Sequence, residues 1–318
     1  MEDRLNLYGA PHRLREDELL DELSSPYFAT WYCTRRCNLS CAHCFVDVTA
    51  GGRDPIGTET AMHMIDGLVE NDVYQLGFAG GEPFLRPDFY TLAAYARDQG
   101  LTIQVATNGL FLGDEPVERL LDVGFRCIQI SLDGATAASH DVLRGAGRFD
   151  AALEGVRAAV RGELPVVLAI AVHRGNLDEV EAMVDLAERE AAIILKVQPV
   201  FTSFTWRGED GALTPDEVRD VIERARRRAQ NVELSIPRWA QILENRSGER
   251  TCASTLRNVS ILDDGRLSLC DFGPEHAFGD VTKNDFFDEW RQVVSQHHLR
   301  QRCGCTQYLE SEQKEVAA

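Results

Sequence analysis

Residues 28–44 read FATWYCTRRCNLSCAHC. The first seven, FATWYCT, are rich in aromatic and β-branched side chains, the composition of a short strand. The last eight place Cys37, Cys41 and Cys44 in a Cys-x3-Cys-x2-Cys spacing on the loop that this strand feeds. Outward from it, five more β-rich runs follow: YQLGFAG, TIQVAT, CIQISLDG, VVLAIAV and IILKVQPV, with helical patterns between them. Strands alternating with helices predict a parallel sheet of repeated β/α units. Right-handed crossovers wind such units into an open or partly closed barrel, with ligands at the C-terminal strand ends. Helix signals fit this reading. Pro87-Asp88 opens DFYTLAAYARDQG with Gly100 as its stop, and Phe149 to Arg161 is closed by Gly162.

The chain has 318 residues, 44% apolar and 26% charged, enough for one large domain or a domain with an appendage. Its 33 basic and 51 acidic residues give a formal net charge of −18, which repels phosphate backbones and anionic lipid, so neither nucleic acid nor a membrane surface is an expected partner. The N-terminal 25 residues lack an apolar signal-peptide core, and the longest apolar run, LPVVLAIAV at 164–172, is too short to span a bilayer. A cytoplasmic protein is expected. In that reducing compartment nine cysteines, an odd and clustered set, point to metal or redox chemistry rather than disulfides.

After Pro199 the pattern changes. Thr214-Pro215-Asp216-Glu217 starts a charged helix, VRDVIERARRR, and polar linker sequence follows at 244–250. A smaller unit then holds a hairpin, VSILDDGRLSLC, with Asp264-Gly265 as a two-residue turn, a short helix near 285–295 and the closing RCGC. The expected divisions are an N-terminal extension at 1–27, the partial barrel at 28–205, a helical linker at 206–250 and the C-terminal unit at 251–318.

The three thiols of the first loop admit a structural zinc site, but zinc wants a fourth ligand and usually paired Cys-x2-Cys or Cys/His sets. Three thiols directly after a strand, over a barrel mouth, resemble instead the radical S-adenosylmethionine (SAM) superfamily. The resemblance implies that Cys37, Cys41 and Cys44 hold three irons of a [4Fe-4S] cluster. The fourth iron is left open for the amino and carboxylate groups of SAM, the logic that separates catalytic from structural metals. His43, the aromatic before the third cysteine, is implied near the adenine. Other family motifs recur at later strand ends. Gly80-Gly81-Glu82-Pro83 is similar to GGEP, whose backbone and carboxylate receive the SAM ammonium. Thr107-Asn108-Gly109 and Ser131-Leu132-Asp133-Gly134 stand where ribose hydroxyls find partners, which implies Thr107, Asn108, Ser131 and Asp133 there. Arg144 in HDVLRGAGRF matches an arginine that meets the SAM carboxylate. Each motif alone could be a turn or a cap; in order, at strand ends, they carry the resemblance over residues 28–200.

Beyond the barrel, Cys252, Cys270, Cys303 and Cys305 resemble the ligands of the Twitch or shortened SPASM appendage of the same superfamily, which implies one auxiliary [4Fe-4S] cluster. The fold class implied is thus α/β, a partial (β/α)6 parallel barrel with a small C-terminal β-hairpin/helix iron–sulfur domain. The Cys303-Gly304-Cys305 pair departs from the usual Cys-x2-Cys and needs a bent backbone, which Gly304 permits. A zinc ribbon on the same four thiols is the alternative. Cys127 reads as an inert core thiol. Cys33 reads first as core packing and is otherwise the spare thiol nearest the chemistry, a candidate hydrogen donor.

The resemblance implies one-electron reduction of SAM, by an external flavodoxin- or ferredoxin-like donor, to a 5′-deoxyadenosyl radical that abstracts hydrogen from an unactivated C–H bond. An auxiliary cluster would take the substrate electron and give dehydrogenation; a thiol on the opposite face would give epimerisation. With 27 residues before the first strand, the expected substrate is a small hydroxyl-rich molecule, a sugar, aminocyclitol or nucleoside of antibiotic biosynthesis. A ribosomally made peptide is the alternative, and a non-catalytic iron–sulfur or zinc protein a third class. His173, Lys196 and Gln198 close the fifth and sixth strands, where substrate contacts or plain solvated strand ends are equally expected.

Overall fold

Each of the six β-rich runs becomes a strand, and each is followed by a helix that lays its apolar stripe on the sheet. The computed structural model describes residues 26–44, 46, 48–200, 211–237, 240, 258–268, 277–281, 288, 290 and 291. In chain order these give β1 (Phe28–Thr34), α1 (Thr58–Glu70), β2 (Gln75–Gly80), α2 (Phe89–Asp98), β3 (Thr102–Thr107), α3 (Asp114–Val123) and β4 (Cys127–Ser131). There follow α4 (Ala137–Arg144), α5 (Phe149–Arg161), β5 (Val166–Val172), α6 (Val180–Arg189), β6 (Ile194–Pro199), α7 (Pro215–Arg228), β7 (Glu233–Ser235), β8 (Asn258–Ile261) and β9 (Leu267–Ser268). The fold is α/β, with a mostly parallel sheet in the manner of a partial barrel. Short 3₁₀ turns at Pro83–Leu85 and Leu177–Glu179 precede α2 and α6.

The sheet runs β7-β6-β5-β4-β3-β2-β1-β8-β9. β1 to β8 all run parallel to one another, and only β9 is antiparallel, paired with β8. Two of these pairings extend what the sequence pattern foretells. β7 adds to β6 through Ile194↔Glu233, and β8 lies beside β1 through Phe28↔Asn258 to Trp31↔Ile261. The hairpin of the C-terminal unit therefore continues the barrel sheet. Its turn also differs from the expected two-residue type. Leu262 N–H donates to Arg266 O, Gly265 N–H to Leu262 O, and only Gly265, at φ 91°, is left-handed, so Asp263 to Gly265 form a three-residue turn. A two-residue type I′ turn would require a positive φ at Asp264 as well.

Alternation decides what each strand face does. Trp31, Phe78, Val105, Ile130, Ile170 and Val197 belong to one core between the sheet and α1 to α3 and α5 to α7. From β3 to β6 the opposite, inner face is small or polar over most of its length. At its bottom Cys127, Val167 and Ile194 form a separate apolar floor. Above that floor Gln104, Ala106, Gln129, Ala169, Ala171 and Lys196 are half-buried, while the residues alternating with them are buried. A closed eight-stranded barrel fills its interior with branched apolar layers; here the described inner positions of β3 to β6 are apolar at the bottom and small or polar above.

At α7 the Thr214 side chain accepts from Glu217 N–H and the Glu217 carboxylate from Thr214 N–H, the capping box its sequence announces. No described helix is long and apolar enough to cross a membrane. Residues 1–25 of the extension at 1–27, and Cys252, Cys270, Cys303 and Cys305, lie outside the described residues; of the helix near 285–295, Asp288, Trp290 and Arg291 are described as helical.

Candidate active site

The cysteine loop leaves β1 at Thr34 and is closed at its base. Cys37 N–H donates to Thr49 O at 3.0 Å and Thr49 N–H to Arg35 O at 2.8 Å, while further along Ala42 N–H reaches Leu143 O at 2.9 Å. Buried Leu39 pins the loop between Cys37 and Cys41. The three thiols are half-buried. Burial raises Cys37 and pushes Cys41 up to about 11, with the Arg144 guanidinium pulling both back. They are neutral thiols that must lose protons when they take a metal. Among the described residues no three His, Cys, Asp or Glu side chains converge as around one metal ion. Thiolates of a four-iron cube each bind a different iron, so they stand farther apart than the ligands of a single zinc.

Gly80 and Gly81 let the end of β2 press on that loop. A Cβ on Gly80, whose φ is +131°, would lie 2.5 Å from Thr34 O, and one on Gly81 would lie 2.2 Å from Arg36 O. The closeness serves two hydrogen bonds, Gly81 N–H to Thr34 O and Glu82 N–H to Arg36 O, both 2.7 Å. Those N–H groups are therefore committed to the base of the loop. Glu82 follows, fully buried. Its carboxylate accepts from Thr107 Oγ1 at 2.8 Å, Asn108 N–H at 2.9 Å and Phe84 N–H at 3.4 Å. Among the described residues it has no ion-pair partner. Burial pushes it up to about 7 in spite of those donors. A carboxylate so placed fits a cation that this chain does not itself supply.

Thr107 and Asn108 are thus brought to Glu82 rather than set apart from it. The Asn108 side chain also donates to Asn38 Oδ1 at 2.7 Å, tying the end of β3 to the cysteine loop. The Ser131 side chain, on the inner face, makes no hydrogen bond among the described residues.

Asp133 is a hub. Arg144 Nε donates to its Oδ2 at 2.5 Å, Ala171 N–H to its Oδ1 at 2.8 Å, and His43 Nε2 stands 3.4 Å from Oδ2. Burial alone would raise this carboxyl, but Arg144 and then His43 hold it down at about 2. Burial keeps His43 below the usual histidine range. With its carboxylate so engaged, Asp133 fastens β4, β5 and α4 together, while the Arg144 Nη groups keep no partner among the described residues. Sequence reasoning passed over three supports. Asn38 is one. His140 Nδ1 accepts the Asp133 N–H at 3.1 Å, and Asn176 donates to Asp133 O and Ala171 O, both at 2.9 Å. The His-Asp pair just before Arg144 was the available signal for His140.

Cys33 is only 2% exposed and sits in the core between sheet and helices, where burial pushes its thiol up to about 12. This corrects the expectation that it could donate hydrogen at the mouth: it belongs to the helix-side layer. Cys127 is the buried floor thiol expected of it.

The profile of the Radical SAM superfamily matches residues 31–187. That stretch is a radical SAM domain. The mycofactocin maturase MftC of Mycobacterium tuberculosis is 35% identical over 175 residues, 54% of this chain and 44% of the maturase, so the match spans less than half of that protein's length. The AdoMet-dependent heme synthase of Methanosarcina barkeri is 26% identical over 318 aligned residues, 90% of this chain and 89% of the synthase. SuiB of Streptococcus suis, solved also with its precursor peptide SuiA, superposes with a TM-score of 0.70 at 17% identity, covering 86% of this chain and 67% of SuiB, a likeness of fold.

Radical SAM domains bind SAM and a [4Fe-4S] cluster, and the residues present fit both: three thiols on one loop, an acid without a cation and an arginine with donors to spare. Together these groups supply a 5′-deoxyadenosyl radical. The chain's own part is to hold, orient and keep water from them.

Proposed function

We propose that this protein is a radical SAM maturase that modifies a ribosomally made peptide. The observation that carries this reading is the 35% identity of its radical SAM domain to a mycofactocin maturase. The fold it shares with SuiB supports the same class. This replaces the hydroxyl-rich metabolite expected from the sequence, since neither relative is a sugar or nucleoside enzyme by name.

In this reading Cys37, Cys41 and Cys44 ligate the cluster, Glu82 receives the SAM ammonium, and the spare Nη groups of Arg144 meet its carboxylate. Ser131 faces the ribose and His43 the adenine. Asp133, assigned to the ribose by resemblance, instead holds Arg144 and His43 in place. An external flavodoxin- or ferredoxin-like protein delivers the electron, and Cys252, Cys270, Cys303 and Cys305 bind an auxiliary [4Fe-4S] cluster that accepts one back from the substrate.

The near full-length alignment with a heme synthase favours a second reading, in which the substrate is a heme precursor. Reconstituted enzyme, SAM and dithionite incubated with each short open reading frame product found beside its gene, or with an iron porphyrin carrying propionates, separates the two. Formation of 5′-deoxyadenosine with a mass change in the peptide is expected. A changed porphyrin and an unchanged peptide would transfer the assignment to the second reading.

A further inference from the structure

The three thiols ride on a segment with little regular structure of its own. Among the described residues between β1 and α1 there is neither helix nor strand, only the bridge Arg36↔Thr49. Two charged side chains join the ends of this segment. The Asp54 carboxylate accepts from Thr34 Oγ1 at 2.5 Å and from Arg36 Nη2 at 2.9 Å, while Arg36 N–H donates to Thr34 Oγ1 at 3.1 Å. A residue at the far end of the loop thus grips two residues at its start. Arg86 makes the second join: its Nη1 donates to Cys33 O at 2.6 Å and its Nη2 to Ile56 O at 3.0 Å. Cys33 is the extra residue of a β-bulge, since Tyr32 pairs with Ala79 and Thr34 already with Gly80.

Both joins are anchored in the segment that carries Glu82. Arg36 Nη1 donates to Leu85 O at 3.3 Å, and Glu82 N–H to Arg36 O at 2.7 Å. Arg86 is buried, stands 4.8 Å from the centre of the Trp31 ring and donates through Nε to Asp88 Oδ1 at 2.8 Å. Burying a guanidinium is costly unless its donors are met. Its planar fork reaches two carbonyls and a carboxylate at once, which the single nitrogen of a lysine does not match. Three thiols that lose their protons on taking a metal repel one another, so a loop without secondary structure needs its ends fixed from outside.

We propose that Asp54, Arg36 and Arg86 are positioning residues that clasp the two ends of the cysteine loop to each other and to the Glu82 segment. The clasp sets the spacing in which Cys37, Cys41 and Cys44 meet a [4Fe-4S] cluster, and it fixes those thiols relative to the Glu82 acid. The inference is independent of the substrate. It rests on the ligation of a cluster by the three cysteines, which the experiment tests separately.

The test uses the full chain, anaerobically reconstituted with iron and sulfide. Samples taken during exposure to a ferrous chelator are reduced and given SAM, and the electron paramagnetic resonance signal that SAM alters is measured. Asp54→Ala and Arg36→Gln are each expected to speed the loss of that signal about tenfold or more. Because both break one contact, the double variant is expected to be no faster than Asp54→Ala alone. Arg36→Lys, which keeps a cation for Asp54, is expected to stay near the wild-type rate, whereas Arg86→Lys, without the fork, is expected to lose the signal as fast as Asp54→Ala. Urea midpoints by far-ultraviolet circular dichroism are expected to stay in the wild-type range for the Arg36 and Asp54 variants. Wild-type rates in Asp54→Ala, single-variant factors that multiply in the double variant, or an Arg36→Lys as fast as Arg36→Gln would overturn the clasp. A fall in urea midpoint that accounts for the faster loss would overturn it in favour of stability alone. Replacing Cys37, Cys41 and Cys44 with Ala is expected to abolish the SAM-sensitive signal; its persistence there would overturn the ligand assignment itself, whatever the clasp variants do.

Discussion

Glu82 is an acid waiting for a cation. Burial lifts its folded-state value to about 7, above the ordinary carboxylate range. For a raised group the stabilising contribution is complete at low pH and is lost as pH climbs through about 7, so without SAM the fold is best served by the protonated acid. A SAM amino group that donates its N–H to the ionised carboxylate reverses the preference, and the Glu82 proton is released on binding. SAM affinity measured by equilibrium dialysis should accordingly tighten between pH 6 and 8, and Glu82→Gln should be flat across that range and weaker by about 1.5–3 kcal/mol. A wild-type profile as flat as the variant's would contradict the assignment. Asp133 has the opposite sign: its value near 2 means that the Arg144 pair contributes above the ordinary aspartate range and fails as the solution is acidified towards 2. Asp133→Asn leaves Arg144 mostly buried and unpaired, a loss of about 3–5 kcal/mol in urea titration. Cys33→Ala, by contrast, should leave turnover unchanged, because the thiol faces away from the mouth.

Among the elements, the joint between β2 and the cysteine loop is the least forgiving. A methyl on Gly81 would stand 2.2 Å from Arg36 O, which is backbone and cannot swing aside. Gly81→Ala should retain the far-ultraviolet spectrum of an α/β protein yet fail to hold iron at the first loop; full iron incorporation would show that the joint is slack. The strands were legible because each run is short, β-rich and bounded. The capping box at α7 was equally plain. The pairings of β7 and β8 were not, since nothing local in ELS or NVSI names a partner strand far away in sequence. Asn38, His140 and Asn176 escaped for the same reason: each matters through a partner that only folding brings near. Asp133 was found without its partners within the chain, because a motif states that a carboxylate is present and not which arginine will claim it.

For the molecule as a whole, the proposed ligand sets predict roughly eight irons after anaerobic reconstitution, from one three-thiol and one four-thiol site each suited to four irons. Replacing Cys37, Cys41 and Cys44 together with Ala should leave about half, and zinc in place of that remainder would refute the auxiliary cluster. The sheet order also bears on how the protein is made. β1 emerges first from the ribosome, and one of its edges is filled by β8, joined at Phe28↔Asn258. Until residue 261 has been synthesised that edge is an unpaired row of amides and carbonyls, beside the loop that must capture iron. Such late closure gives the barrel a non-local, slow final step and a period of exposure to aggregation. A chain stopped at 205, complete by the count of β/α units, would keep the open edge for good, so overproduced barrel alone belongs in inclusion bodies while the longer chain does not.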